Sequence, residues 1–279
     1  MDSLHRQACS INILGDFCGM RDLPELSVQG LKAQFGLERA DIMVLFGGSI
    51  LEGGAVLARA IEQNMAKRYL IVGGEGHTTE SLRVQMSQLF PEWDVNTLSE
   101  ARLFDGFIRK KYGLHADFLE ERSTNCGNNI TFMLELIRRE GLACNSILLT
   151  QDAAMQRRMD AVLRKYVPEC TLINYAAYSV KVLPSDGSLT FEMPPMGMWP
   201  MEHYVKLLMG EIPRLKDEGY GPLGKNFQAH VDIPQSVLEA FEALSAENSG
   251  LIRPADARYQ SPESKGKDSA CPGAGTVLY

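Results

Sequence analysis

Ile42-Met43-Val44-Leu45-Phe46 is an unbroken apolar run that stops at Gly47-Gly48-Ser49, and a helical pattern opens behind it at Gly53-Gly54. The pattern recurs. Tyr69-Leu70-Ile71-Val72 runs into Gly73-Gly74, Ala116-Asp117-Phe118-Leu119 into Glu120-Glu121, and Ser146-Ile147-Leu148-Leu149 into Thr150-Gln151-Asp152. Each is short, bounded by turn-forming or polar residues and followed by a helical period, which reads as strand then helix. Strands alternating with helices build a parallel sheet. The residues behind all four runs should therefore gather on one carboxyl edge, where open α/β sheets take their ligands.

Working outward, helices are expected near 54–66, 79–90 and 99–112, so two of them lie between the second and third strands. That connection leaves room for a cap over the sheet edge. Ile130, Met133, Leu134 and Ile137, and again Met159, Val162, Leu163 and Tyr166, recur at helical spacing and give two further helices one apolar face each. A fifth strand is expected near 171–174. Residues 4–36 read as mixed helix broken at Gly15, Gly19 and Pro24, and 184–195 as a turn-rich connector. Helices are expected again over 202–216 and 234–246. The organisation is thus a helical segment over 1–40 packed on the sheet, an α/β domain over 41–183, a helical lid over 184–246, and a flexible tail over 247–279.

The chain has 279 residues, 45% of them hydrophobic, enough for one substantial core. A formal net charge of −7 with no long Lys/Arg run opposes the electrostatic footprint that nucleic acids require. No stretch of 18 apolar residues occurs and residues 1–20 lack a basic lead into an apolar run, so a cytoplasmic protein without a membrane span is expected. Six cysteines are scattered without a C-x-x-C pair, which indicates neither a zinc site nor a disulfide framework. Cys126 sits just before a helix, where the dipole can lower a thiol pKa, but no histidine lies nearby in sequence to serve as its base.

The tips carry the chemistry. Gly47-Gly48-Ser49 lets a ligand approach the backbone, with free helix N–H groups behind it for a phosphate or carboxylate. No G-x-x-x-x-G-K-[ST] supplies a P-loop lysine, and at this tip the G-x-G-x-x-G fingerprint is missing too. Gly73, Gly74 and Gly76 repeat the device and add Glu75, a candidate for ribose hydroxyls, His77, which can titrate near neutrality, and Thr78 or Thr79, good N-caps. The third tip, Glu120 to Asn129, places eight polar side chains before an apolar helix, far more than one cap uses; Ser123, Thr124, Asn125 and Asn129 are its candidate ligand groups. Gln151 and Asp152 form the fourth, with Gln156 and Arg157 in the following helix. An arginine in a first helical turn opposes the dipole, so Arg157 is expected to meet an anion, either a ligand or the carboxylate of Glu120 or Asp152. His77, Glu100, Glu120 and Asp152 are the candidate acid and base groups. No spacing demands a metal.

Taken together, Gly47-Gly48, Gly73-Gly74-x-Gly76-His77, Ser99-Glu100-Ala101, Ser123-Thr124-Asn125-Cys126-Gly127-x-Asn129 and Gln151-Asp152-x-x-Met155-Gln156-Arg157-Arg158 resemble the YdcF-like family. This is the soluble branch of a domain-of-unknown-function family that also holds SanA and ElyC. Trp199-Pro200-x-Glu202-x-Tyr204, Gly210-Glu211-x-Pro213-Arg214-Leu215, Gly219-Tyr220-Gly221-Pro222 and His230-Val231-Asp232-x-Pro234 look like the YdcF branch in particular. The resemblance implies a Rossmann-like open parallel sheet with helices on both faces, a smaller helical C-terminal part, and S-adenosylmethionine as ligand at the strand tips. Asn128 stands where the family usually has a glutamate.

Three readings follow. The first is a binder of S-adenosylmethionine or a related nucleoside-bearing anion, with a transferase as the associated activity. The second is a hydrolase or phosphoryl-transfer enzyme built on Glu100, Glu120, Asp152 and His77. The third is a non-catalytic module linked to the cell envelope. The expected partner is a small molecule, and a homo-oligomer stays open.

Overall fold

The computed structural model describes residues 2–247. Five parallel strands, β1 (Ala40–Phe46), β2 (Ala66–Val72), β3 (Phe118–Glu120), β4 (Ser146–Thr150) and β5 (Thr171–Asn174), form one sheet in the order β3-β2-β1-β4-β5. Every strand ends on the same edge, as the sequence pattern requires. The chain runs outward in one direction from β1 through β3 and then crosses to β4. The gap between β1 and β4 is therefore the switch point, where a crevice opens outside the strand ends.

The period-two alternation divides the strands between two cores. Met43 and Leu45 of β1 point into the core shared with α2 (Val28–Phe35), α3 (Glu52–Glu62), α4 (Thr79–Leu89) and α5 (Glu100–Tyr112). Ile42, Val44 and Phe46 point the other way, onto α6 (Cys126–Arg139) and α7 (Gln156–Tyr166). The protein is an α/β three-layer assembly, Rossmann-like, with helices on both faces. Among the described residues no helix is long and apolar enough to cross a membrane.

Several boundaries differ from the sequence reading, each for a tertiary reason. β2 starts at Ala66, inside the stretch expected to be helical, because Asn64 turns the chain at φ 56° and Ala66 then pairs with Ala40. β3 is only three residues long and takes in Glu120, since Ala116 gives its backbone N–H to Asp105 Oδ1 and not to the ladder. α1 (Ser3–Cys18) runs straight through Gly15, expected as a break. A Cβ there would lie 2.7 Å from the Tyr204 hydroxyl, so the glycine serves close helix approach. Residues 184–195, expected as a connector, contain most of an antiparallel hairpin of β6 (Val182–Ser185) and β7 (Ser188–Phe191), turned by Asp186 and Gly187 at φ 49° and 77°.

α8 (Met201–Leu215) and α9 (Gln235–Glu247) form the smaller helical part at the expected positions, but they do not stand alone. α1 joins them, so Ile11, Leu14 and Phe17 share a third core with Tyr204, Leu208, Ile212 and Leu244. Asn12 binds both backbone groups of Val182 and locks α1 to the hairpin. The tail expected over 247–279 lies outside the described residues beyond Glu247.

Candidate functional site

Glu100 occupies the centre of the β1 and β2 tips. Ser99 caps α5 by accepting from Arg102 N, which places Glu100 at the first helical position with its side chain turned over the sheet edge. Its own N–H donates to Gly74 O at 2.9 Å, and Ala101 N to Gly73 O at 2.8 Å. A Cβ at position 47 would fall 2.3 Å from Glu100 Oε2, and one at position 73 would fall 3.0 Å from its Cβ. Glycine is needed at both tips because the carboxyl lies directly on the backbone.

Thr78 stands at the N-cap of α4 as expected, but the hydroxyls of both threonines serve this carboxyl. Thr78 and Thr79 donate their hydroxyls to Glu100 Oε1 at 2.8 and 2.9 Å, while Thr79 Oγ1 also accepts from Gly76 N. Glu100 is 7% exposed. Burial pushes its pKa up from 4.5 to about 7, against the pull of the two hydroxyls and of Arg83. A carboxyl poised there can hold or release a proton near neutrality. Ser49, one residue beyond the first tip, is fully buried with a hydroxyl that has no partner, and its carbonyl accepts from Gln85 Nε2 of α4.

Across the switch point the groups are tied to the protein itself. Asp152 Oδ1 accepts from Tyr178 Oη at 2.8 Å and Ala154 N at 2.9 Å, and Oδ2 accepts from Trp199 Nε1 at 3.0 Å. Burial raises its pKa. Gln156 is consumed likewise: it accepts from Gln151 N and donates to Leu149 O and Asn174 Oδ1. Gln151 accepts from Asp152 N and, with Gly48, Ile50, Asp152 and Ala177, lines a cavity of about 10 Å³, room for roughly one water. Gly197 and Trp199 lie over this region, since a Cβ on Gly197 would reach Gln85 Oε1 and Ser49 O.

The third tip holds itself together. Glu120 accepts from Arg122 N at 2.7 Å and Ser123 N at 3.3 Å and so closes the loop. Ser123 receives Gly74 N on its carbonyl at 3.0 Å and on Oγ at 3.2 Å. Asn125 caps α6 through Asn128 N, and its amide, with the Thr124 hydroxyl, donates to Asn128 Oδ1. Asn128 thus acts inside the cap. Asn129 is buried on the first turn of α6, and His77 is exposed on the loop before Thr78.

The four tips therefore share one edge but not one cavity: Gly48 and Asp152 line the space at the switch point, whereas Gly74 and Ser123 bind each other on the β2 and β3 side. Arg157 departs further from expectation. It pairs with neither Glu120 nor Asp152; its Nε donates to Phe17 O at 2.5 Å and its guanidinium stacks on the Phe17 ring at 4.0 Å, which fastens the last turn of α1. The sequence reading missed Gln85, Tyr178 and the pair of Arg158 with Glu211. Only the Trp199 and Glu211 phrases carried any signal for them. Among the described residues no group of three or more His, Cys, Asp or Glu is placed to hold a metal ion. No protein-family model matches the chain.

Proposed function

We propose that the chain binds S-adenosylmethionine or a related nucleoside-bearing ligand at the strand tips and acts as a transferase on it, in keeping with its resemblance to the YdcF-like family. The observation that carries this reading is the Glu100 carboxyl seated on Gly47 and Gly73 with one oxygen held by two hydroxyls. An acid at the end of the inner strands of a parallel sheet is the group that takes ribose hydroxyls in nucleotide-binding folds. The buried unpartnered Ser49 hydroxyl, two residues beyond Gly47, adds a donor and acceptor at the β1 tip.

A nucleoside ligand needs a pocket of a few hundred Å³. The present 10 Å³ space reaches that only if the strap carrying Gly197 and Trp199 swings out, breaking the Trp199 bond to Asp152. Titration calorimetry with S-adenosylmethionine is the test. Wild-type protein should bind with a change in Trp199 fluorescence, and Glu100→Gln should weaken binding roughly ten- to a hundredfold, as loss of a hydrogen bond to a charged group does. No heat with the wild type, or equal affinity in the variant, overturns the reading. A second reading, acid/base hydrolysis, draws on the Glu100 proton near neutrality; it requires turnover of a phosphate or ester substrate that Glu100→Gln abolishes.

A further inference from the structure

Far from the tips, at the opposite edge of the sheet, two cysteines that the sequence separates by a whole helix meet. Cys144 lies two residues before β4 and Cys170 immediately before β5. The parallel register pairs Ser146 with Thr171, and Thr171 N donates to Asn145 O at 2.9 Å, so the two strand entrances are held side by side. Both side chains are half-buried against the same core, beside Leu142 and Val167. Cys170 Sγ donates to Thr171 O at 3.8 Å, and each thiol lies near enough to shift the pKa of the other.

We propose that Cys144 and Cys170 form a peroxide-sensitive dithiol that closes to a disulfide. The contact makes the two thiols unequal. The neighbouring Cys170 thiol lowers the Cys144 pKa, whereas the Cys144 thiol together with burial raises that of Cys170. Cys144 is therefore the nucleophile and Cys170 the resolving thiol. The Cys144 thiolate attacks one oxygen of hydrogen peroxide; the O–O bond breaks and the hydroxide leaves as water after taking up a proton, giving a sulfenic acid. Cys170 sulfur then attacks Cys144 Sγ, the S–O bond breaks, and the Cys170 proton goes to the departing hydroxide. Two thiols lose two electrons and peroxide becomes two waters. The bond would join strands already hydrogen-bonded to each other, so closure needs little backbone movement.

The test treats the full-length protein with a few equivalents of hydrogen peroxide and maps its peptides without reduction. The expected product is a linked Cys144–Cys170 peptide about 2 Da lighter than the two thiols, with Tm raised by roughly 5–10 °C over the reduced form. Cys170→Ser should abolish the link and leave a Cys144 sulfenic acid that dimedone traps. The proposal is overturned if wild-type protein gives as much dimedone adduct at Cys144 as Cys170→Ser does. It is overturned equally if exposed Cys9 oxidises while both thiols remain reduced.

Discussion

Glu100 concentrates the electrostatics of the site in one side chain. Its folded pKa of about 7 lies above the 4.5 of the free carboxyl, so the folded chain binds that proton more tightly than the unfolded chain does. The stability this contributes is full below about pH 4.5 and is lost as pH rises through about 7, leaving a buried carboxylate that costs about 3 kcal/mol. Glu100→Gln keeps an acceptor for Thr78 and Thr79 and carries no charge. Urea midpoints should therefore be flatter with pH in the variant, equal to wild type near pH 4 and higher at about pH 8. Parallel pH profiles would show that Glu100 is solvated in the folded protein. The sequence put Glu100 at a helix start beside the glycine tips, but its burial depends on residues 47 and 73, which local pattern cannot bring together. Arg157 makes the same point in reverse: its place in the first turn of a helix was legible, and its partner, a carbonyl 140 residues earlier, was not.

At the scale of elements, the joint between α7 and α8 decides how the helical part meets the sheet. Arg158 Nε and Nη2 grip Glu211 Oε2 and Oε1 at 2.5 and 3.0 Å in a bidentate pair whose side chains are 13% and 4% exposed. Breaking such a pair strands a buried charge. Arg158→Ala should cost about 3–5 kcal/mol in denaturant unfolding, whereas Arg158→Met combined with Glu211→Leu should recover most of it. A loss below about 1 kcal/mol in the single variant would mean that water already reaches the pair. The helices themselves were legible from apolar periodicity, and α8 and α9 fall within a residue of their expected starts. Their contacts were not, because an apolar stripe specifies that a face is buried without specifying by what.

The whole molecule has a chain-spanning closure: α1 from the beginning of the chain completes the core of α8 and α9 near its end. The helical part is consequently no independent lid. A fragment ending at residue 195 should expose Ile11, Leu14 and Phe17, bind a hydrophobic dye and lose its cooperative melt. A fragment that melts cooperatively with the wild-type midpoint would refute this closure. By itself the sequence determined the parallel sheet, its five strands and the edge where the polar tips collect, because apolar runs, turn residues and helical periods act over a few neighbouring residues. Only the tertiary structure decided that Glu100 lies on Gly47 and Gly73, that Asp152 holds Trp199, that Arg157 caps α1 and that Cys144 meets Cys170. Those pairings join segments from 26 to 140 residues apart, where chain topology and shape complementarity choose among many equally apolar or polar partners.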